Sequence, residues 1–379
     1  MVVPSAPPPA SRLEKLLGFV RADPSNSTLL FDAAVTAFDA GDLPVAGELI
    51  ARLEASGGLS AEQLNLKGLI ALASRDFEQA ARVFAGLRES APTDTGLAFN
   101  LAWANAMLGR QEAAVDSLDV ATMTELPQAA ALKVQSFHSL GRLDEALEVG
   151  RAMAKLHPDA EPLMAALAVA ALDAEDIELA RACASRARNT HEGLSTLGML
   201  ELDKGEVATS LRRFERALEV YPDSARGQLG MGLGLMAAGQ AAAAGPFLDR
   251  GAAIFGGHLG SWVAAGWAYF TAGDYGSSRA RFETALALDD TFAETHGGLA
   301  VLDIVAGDVE GARRRTEIAF RLDKKCLSAA LAKSLILASE GNLETAERVQ
   351  RIALNTPLGP NGDTIAKAAL RFGRTTAKG

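Results

Sequence analysis

The chain has 379 residues, 49% of them hydrophobic but only 6% aromatic, and its formal net charge is −10 at pH 7. This composition suits closely packed helices better than a β-sheet. The acidic balance argues against nonspecific binding to nucleic acid or to an anionic membrane surface, because both need clustered lysine and arginine.

The N-terminal residues predict a disordered segment followed by a helix. Residues 1–10 are rich in proline, and we expect them to be disordered. They contain no basic stretch followed by an apolar one, so they predict no secretory signal as written and favour a cytoplasmic protein. A signal removed before residue 1 would instead leave a periplasmic protein. Residues 11–26 predict an N-terminal cap, with an apolar helical face over 11–22 and Pro24 after it.

From residue 27 onward, one pattern recurs about every 34 residues. A turn between two predicted helices occurs at Gly41, Arg75, Gly109, Gly141, Glu175, Gly205, Gly239, Gly273, Gly307 and Gly341. The successive spacings are 34, 34, 32, 34, 30, 34, 34, 34 and 34 residues. Five residues after each turn stands an alanine or a serine, which is small enough to let two helices touch. Glycine at most of the turns suits the left-handed end of a helix.

The stretch 259–290 shows the pattern most completely. With Leu259 as position 1 of a 34-residue repeat, Trp262 falls at position 4, Gly266 at position 8 and Phe282 at position 24. This alternation of small and large residues resembles the tetratricopeptide repeat family. Over residues 27–358 the resemblance implies an all-α solenoid, a right-handed superhelix of about ten helix-turn-helix repeats. The repeats are expected to start near residues 27, 61, 95, 127, 161, 191, 225, 259, 293 and 327, and residues 359–379 are expected to form a C-terminal capping helix and tail.

Two repeats depart from this regularity. The fifth is four residues short, so we expect its second helix to lose about one turn. The seventh is crowded with glycine and carries Pro246 inside its second helix. Because an interior glycine costs roughly 1 kcal/mol and an interior proline roughly 3 kcal/mol, this repeat is predicted to bend or open most easily. The alternative is that its glycines only permit close packing.

No pattern in the sequence is typical of a catalytic, cofactor or metal site. The five histidines form no i, i+4 pair around a glutamate and no cluster with cysteine. The glycines between Gly230 and Gly234 lie inside a predicted helix, so they do not indicate a dinucleotide site. Cys183 and Cys326 stand four repeats apart, too far for a disulfide, which favours a reducing compartment. We therefore predict a protein without enzymatic activity, cofactor or metal.

The resemblance identifies the candidate binding residues. In the family, positions 2, 5, 9, 12 and 13 of each first helix line a concave groove, and here positions 5, 9 and 12 are mostly apolar. The candidate groove residues are Phe31, Phe38, Phe99, Trp103, Met199, Leu233, Met236, Trp267, Phe270 and Ile304. Such a groove is expected to bind an apolar or amphipathic segment of a partner protein.

Other occupants of this surface stay open. Curvature, the chain's own terminal helix or a second copy of the chain would each cover these residues. In the eighth repeat, Trp262, Tyr269 and Phe282 are expected to hold the helices together, while Trp267 and Phe270 face the groove. A clamp for acidic tails is not indicated, because positions 2, 5, 6 and 9 are nearly devoid of basic residues, with Arg226 the main exception and Asn65 and Asn100 unaccompanied.

These observations predict a scaffold or adaptor for a protein or peptide partner. The composition also resembles bacterial members of the family. That resemblance implies a first alternative, an assembly or chaperone-like subunit of a pilus, secretion or envelope-polysaccharide system. A second alternative is a regulatory, substrate-presenting subunit of an enzyme complex.

Overall fold

The computed structural model describes residues 9–355, which fold into 22 α-helices with no β-strand among them. The chain divides after Ala174 into two compact halves. The N-terminal half contains α1 (Pro9–Ala22), α2 (Ser27–Asp39), α3 (Leu43–Ala55), α4 (Ala61–Ala73), α5 (Phe77–Ser90), α6 (Thr95–Met107), α7 (Gln111–Ser117), α8 (Val120–Glu125), α9 (Pro127–Ser139), α10 (Leu143–Leu156) and α11 (Glu161–Asp173). The C-terminal half contains α12 (Ile177–Arg186), α13 (His191–Asp203), α14 (Val207–Val220), α15 (Ala225–Ala237), α16 (Ala241–Phe255), α17 (Leu259–Thr271), α18 (Tyr275–Leu288), α19 (Ala293–Val305), α20 (Val309–Leu322), α21 (Leu327–Ser339) and α22 (Leu343–Asn355). The predicted all-α solenoid fold is confirmed.

Within each half, consecutive helices pack as the repeat pattern requires. The first helices begin at the residues from which the repeats are counted, and α1 begins at Pro9 rather than at Ser11, because proline is well tolerated in the first turn of a helix. Helix α12 has 10 residues where α14 has 14, so the predicted loss of about a turn in the fifth repeat is confirmed. The predicted C-terminal cap and tail, and residues 1–8, lie outside the described residues.

A residue with left-handed backbone forms the turn inside each repeat, and in five repeats an aspartate directly after it caps the second helix. Gly109 has a φ of 74°, and at the same position of their repeats Arg75 and Glu175 have φ values of 61° and 59°. In the second repeat, Asp76 follows the turn residue Arg75, and its carboxylate accepts the backbone N–H of Gln79 at 3.0 Å and so caps α5. A positive φ costs a non-glycine residue about 1–2 kcal/mol, so Arg75 and Glu175 are strained positions.

Three phenylalanines at position 24 fill the space between the two helices of their repeats. All three rings are completely buried. Each faces a glycine at position 8 of its own first helix, and the pairs are Phe84 with Gly68, Phe214 with Gly198 and Phe282 with Gly266. A Cβ atom on these glycines would lie 2.6–2.8 Å from the ring, closer than carbon atoms can pack. The absence of a side chain at position 8 therefore sets how closely the helices approach.

The second helix of the third repeat is broken into α7 and α8, which the sequence analysis did not predict. Ser117 and Leu118 at the break have carbonyl groups that no longer point into a continuous helix. Arg88 donates to the Ser117 carbonyl at 3.3 Å, and the Lys133 amino group donates to the Leu118 carbonyl at 2.6 Å. Burial lowers the pKa of Lys133, while the nearby carboxylates of Asp116 and Asp119 oppose that shift. Side chains of the second and fourth repeats thus stabilise the break in the third.

The glycines inside the two helices of the seventh repeat lie at close contacts. A Cβ on Gly234 would lie 2.8 Å from the Leu211 side chain, and one on Gly245 would lie 2.6 Å from the Tyr269 ring. The same ring is fixed by its hydroxyl, which donates to the Asp249 carboxylate at 2.8 Å. This geometry is what the close-packing alternative requires, and it leaves the predicted ease of opening untested.

We expect the seventh repeat to open more readily than its neighbours, because its glycines and Pro246 lower the intrinsic stability of α15 and α16. Native-state hydrogen exchange should show faster exchange of amide hydrogens in α15 and α16 than in α13, α14, α17 and α18. Equal protection across these helices would contradict the prediction and leave close packing as the sole role of the glycines.

The strain at Arg75 predicts a stabilising substitution. Arg75→Gly should raise the free energy of unfolding by about 1 kcal/mol, because glycine adopts the left-handed conformation without a Cβ clash. Urea unfolding monitored by circular dichroism measures the change. Arg75→Ala is the matched control, since it removes the same exposed side chain but keeps the strained Cβ. Equal stability of the two variants would show that backbone strain is not the cause.

Candidate binding surface

The ten candidate groove residues all lie on first helices. Trp103 is 41% exposed. The other nine are half-buried, and none of the ten is completely buried. Four of them, Phe31, Phe38, Phe99 and Trp103, belong to the N-terminal half, and the remaining six belong to the C-terminal half. We call positions 2, 5, 6, 9, 12 and 13 of the first helices the first-helix face.

The four aromatic residues of the N-terminal half form two separate pairs. Phe31 and Phe38 on α2 pack against a buried cluster of residues from α1 to α4, which includes Leu30. Phe99 and Trp103 lie one turn apart on α6 and contact each other, with ring centroids 6.2 Å apart. The α6 pair is the more accessible of the two.

Trp267 is the centre of the candidate residues in the C-terminal half. Its indole packs edge-to-face against Phe270, with centroids 5.4 Å apart, and against Phe282, with centroids 5.5 Å apart. Trp267 and Phe270 also pack against a buried cluster that includes Val301, and Ile304 packs against the same cluster. Trp267 and Phe270 therefore contribute to the core as well as to the surface, which corrects the expected separation of the two roles.

The other candidate residues of the C-terminal half precede α17 and lie on α13 and α15. Leu233 and Met236 pack against a buried cluster that includes Leu248, and Met199 is half-buried on α13. Trp262 was expected to hold the helices together, but it is only half-buried, and its indole N–H donates to the Gly256 carbonyl in the preceding loop at 3.3 Å.

A cavity of about 360 Å³ opens beside Trp267. It is lined by Trp267, Glu294, Leu327, Ser328, Leu331, Gln350 and Ala353. Its walls come from α17, α19, α21 and α22. The sequence analysis missed the cavity, although the Gly297-Gly298 doublet was a signal. A Cβ on Gly297 would lie 2.5 Å from the Ala329 nitrogen, so the glycine allows α19 and α21 to approach closely.

The carboxylate of Glu294 is held in place at the edge of this cavity. It accepts the backbone N–H of Leu327 at 2.7 Å and that of Ser328 at 3.2 Å, and the Ser328 hydroxyl also donates to it. These donors belong to the first turn of α21, where a negative charge is favourable. Burial, with Glu294 acting in the same direction, raises the pKa of the Cys326 thiol to about 12. Cys326 therefore stays a protonated, unreactive thiol at neutral pH.

A second cavity, of about 780 Å³, lies in the N-terminal half. Its lining includes Asn65, Asn100, Arg82 and Asp94. The two asparagines, which the sequence analysis treated as unaccompanied, therefore share one cavity with a single basic side chain.

No helix between residues 9 and 355 combines the length and the apolar character needed to cross a bilayer. Over the same residues, no group of three or more histidine, cysteine, aspartate or glutamate side chains is arranged to hold a metal ion.

Comparison with known proteins places the repeats in context. A tetratricopeptide repeat family model matches residues 65–130 and 195–258. No curated protein matches the sequence. Among solved structures, the APC/C heterotetramer Cut9–Hcn1 gives a TM-score of 0.56 at 10% identity, covering 89% of this chain and 81% of that chain. The human IFIT1 dimer with PPP-AAAA gives a TM-score of 0.52 at 13% identity, covering 92% of this chain and 94% of that chain. At such identities the likeness shows the fold.

Proposed function

We propose that this chain, whose repeats match a tetratricopeptide repeat family model, is a non-enzymatic scaffold that binds an apolar or amphipathic segment of a partner protein on its first-helix face. The observation that carries this proposal is the set of half-buried apolar side chains around Trp267. Partly exposed aromatic and aliphatic groups gain about 25 cal/mol per Å² when a partner removes them from water.

The chemistry of the first-helix face favours a protein segment over RNA. The IFIT1 structure contains PPP-AAAA, but RNA binding needs a basic groove for the phosphates. In the C-terminal half, the charged residues of the first-helix face are Glu192, Arg226, Asp203 and Glu294. Three acids and one base would repel a phosphate backbone, whereas they tolerate a neutral or basic peptide.

Three more specific roles belong to this proposal. A role in assembling a bacterial pilus, secretion or envelope-polysaccharide system, and a role as a substrate-presenting subunit of an enzyme complex, both use the same surface. Self-association would also use it. The two cysteines, Cys183 and Cys326, are buried free thiols, which suits the proposed cytoplasmic location.

The proposal predicts that Trp267→Ala combined with Phe270→Ala abolishes peptide binding and leaves a helical protein. The probe is a fluorescein-labelled amphipathic peptide of about 18 residues, with leucine on one helical face and lysine, alanine and glutamine elsewhere. Fluorescence anisotropy should show binding to the unmodified protein, and weaker or no binding of a peptide with the same composition in scrambled order. Far-ultraviolet circular dichroism checks the fold.

Phe282→Leu provides the matched control. Phe282 is completely buried and touches Trp267, so this substitution should lower stability by about 1–2 kcal/mol without removing an accessible contact. The expected result is retained peptide binding. If the double variant unfolds, or if Phe282→Leu loses binding equally, Trp267 and Phe270 act only as core residues and the proposed surface is wrong.

A further inference from the structure

The cavity beside Trp267 is mostly apolar. Trp267, Leu327, Leu331 and Ala353 supply its apolar wall, and Glu294 is the charged side chain among its lining residues. A volume of about 360 Å³ admits one long side chain of a bound segment. A side chain that combines an apolar stem with a hydrogen-bond donor for the Glu294 carboxylate would match both parts of this lining.

The Glu294 carboxylate is oriented for such a group. A carboxylate has about four acceptor sites, and three of those on Glu294 are occupied by the N–H groups of Leu327 and Ser328 and by the Ser328 hydroxyl. All three donors are neutral, so the negative charge is held in one position without being neutralised. A cation that reaches the Glu294 carboxylate can donate to its remaining acceptor site and neutralise its charge.

From this arrangement, and resting on the proposed function, we infer that the cavity is the anchor site for a lysine or arginine of the partner segment. The methylene stem of the basic residue packs along Leu327, Leu331 and Ala353. Its cationic head lies between the Glu294 carboxylate and the indole of Trp267, which attracts a cation through its ring electrons. The acidic excess on the first-helix face of the C-terminal half favours the same partner charge.

Gln350 allows a test that does not disturb the fold, because its side chain lines the cavity and is exposed. The probe is the leucine-lysine peptide of the preceding experiment, compared with a version in which the lysines are replaced by glutamine. Gln350→Glu should tighten binding of the lysine peptide about threefold, and Gln350→Lys should weaken it about threefold. Neither substitution should change binding of the glutamine peptide.

Glu294→Gln should weaken binding of the lysine peptide and leave the glutamine peptide unaffected. Glu317→Gln is the charge-matched control, because Glu317 lies on α20 and its side chain is 71% exposed. Thermal unfolding checks that Glu294→Gln is folded, since it alters the cap of α21. If both peptides bind but neither Gln350 variant distinguishes them, the basic anchor is wrong while the proposed function stands. If neither peptide binds the unmodified protein, the proposed function fails and the anchor with it.

Discussion

In three repeats, the close approach of the two helices depends on a glycine that leaves room for an aromatic ring. At Gly266 the ring of Phe282 occupies the space that a Cβ would need. With the ring buried there, the next residue of the first helix, Trp267, contacts its edge and stays half-buried. The surface proposed to bind a partner is therefore positioned by the same contact that joins the helices.

The sequence predicted the features that depend on local spacing. The ten turns, the first residue of each first helix and the short α12 all follow from residue types at fixed intervals. Left-handed backbone at the glycine turns was also expected, but the same conformation at Arg75 and Glu175 could be established only from the structure. A repeat pattern determines where helices start because turns and caps are local.

Features that depend on contacts between repeats could not be predicted in the same way. The break at Leu118 stands in a stretch whose composition is compatible with a continuous helix, and the shorter spacing in the third repeat did not reveal its location. The cavity beside Trp267 combines residues from three repeats, and its size depends on distances between their helices. The position of each residue within its repeat was enough to identify the candidate residues. How deeply each of them is buried could be known only from the packed structure.

The broken helix of the third repeat makes that repeat dependent on its neighbours. The Ser117 and Leu118 carbonyl groups at the break accept hydrogen bonds from Arg88 of the second repeat and from Lys133 of the fourth repeat. If a gene duplication copied residues 95–126 alone, the first copy would no longer lie beside Lys133 and the second copy would no longer lie beside Arg88. The third repeat is thus not an interchangeable module, and growth or shortening of this array by recombination would be tolerated more readily in the repeats with continuous second helices.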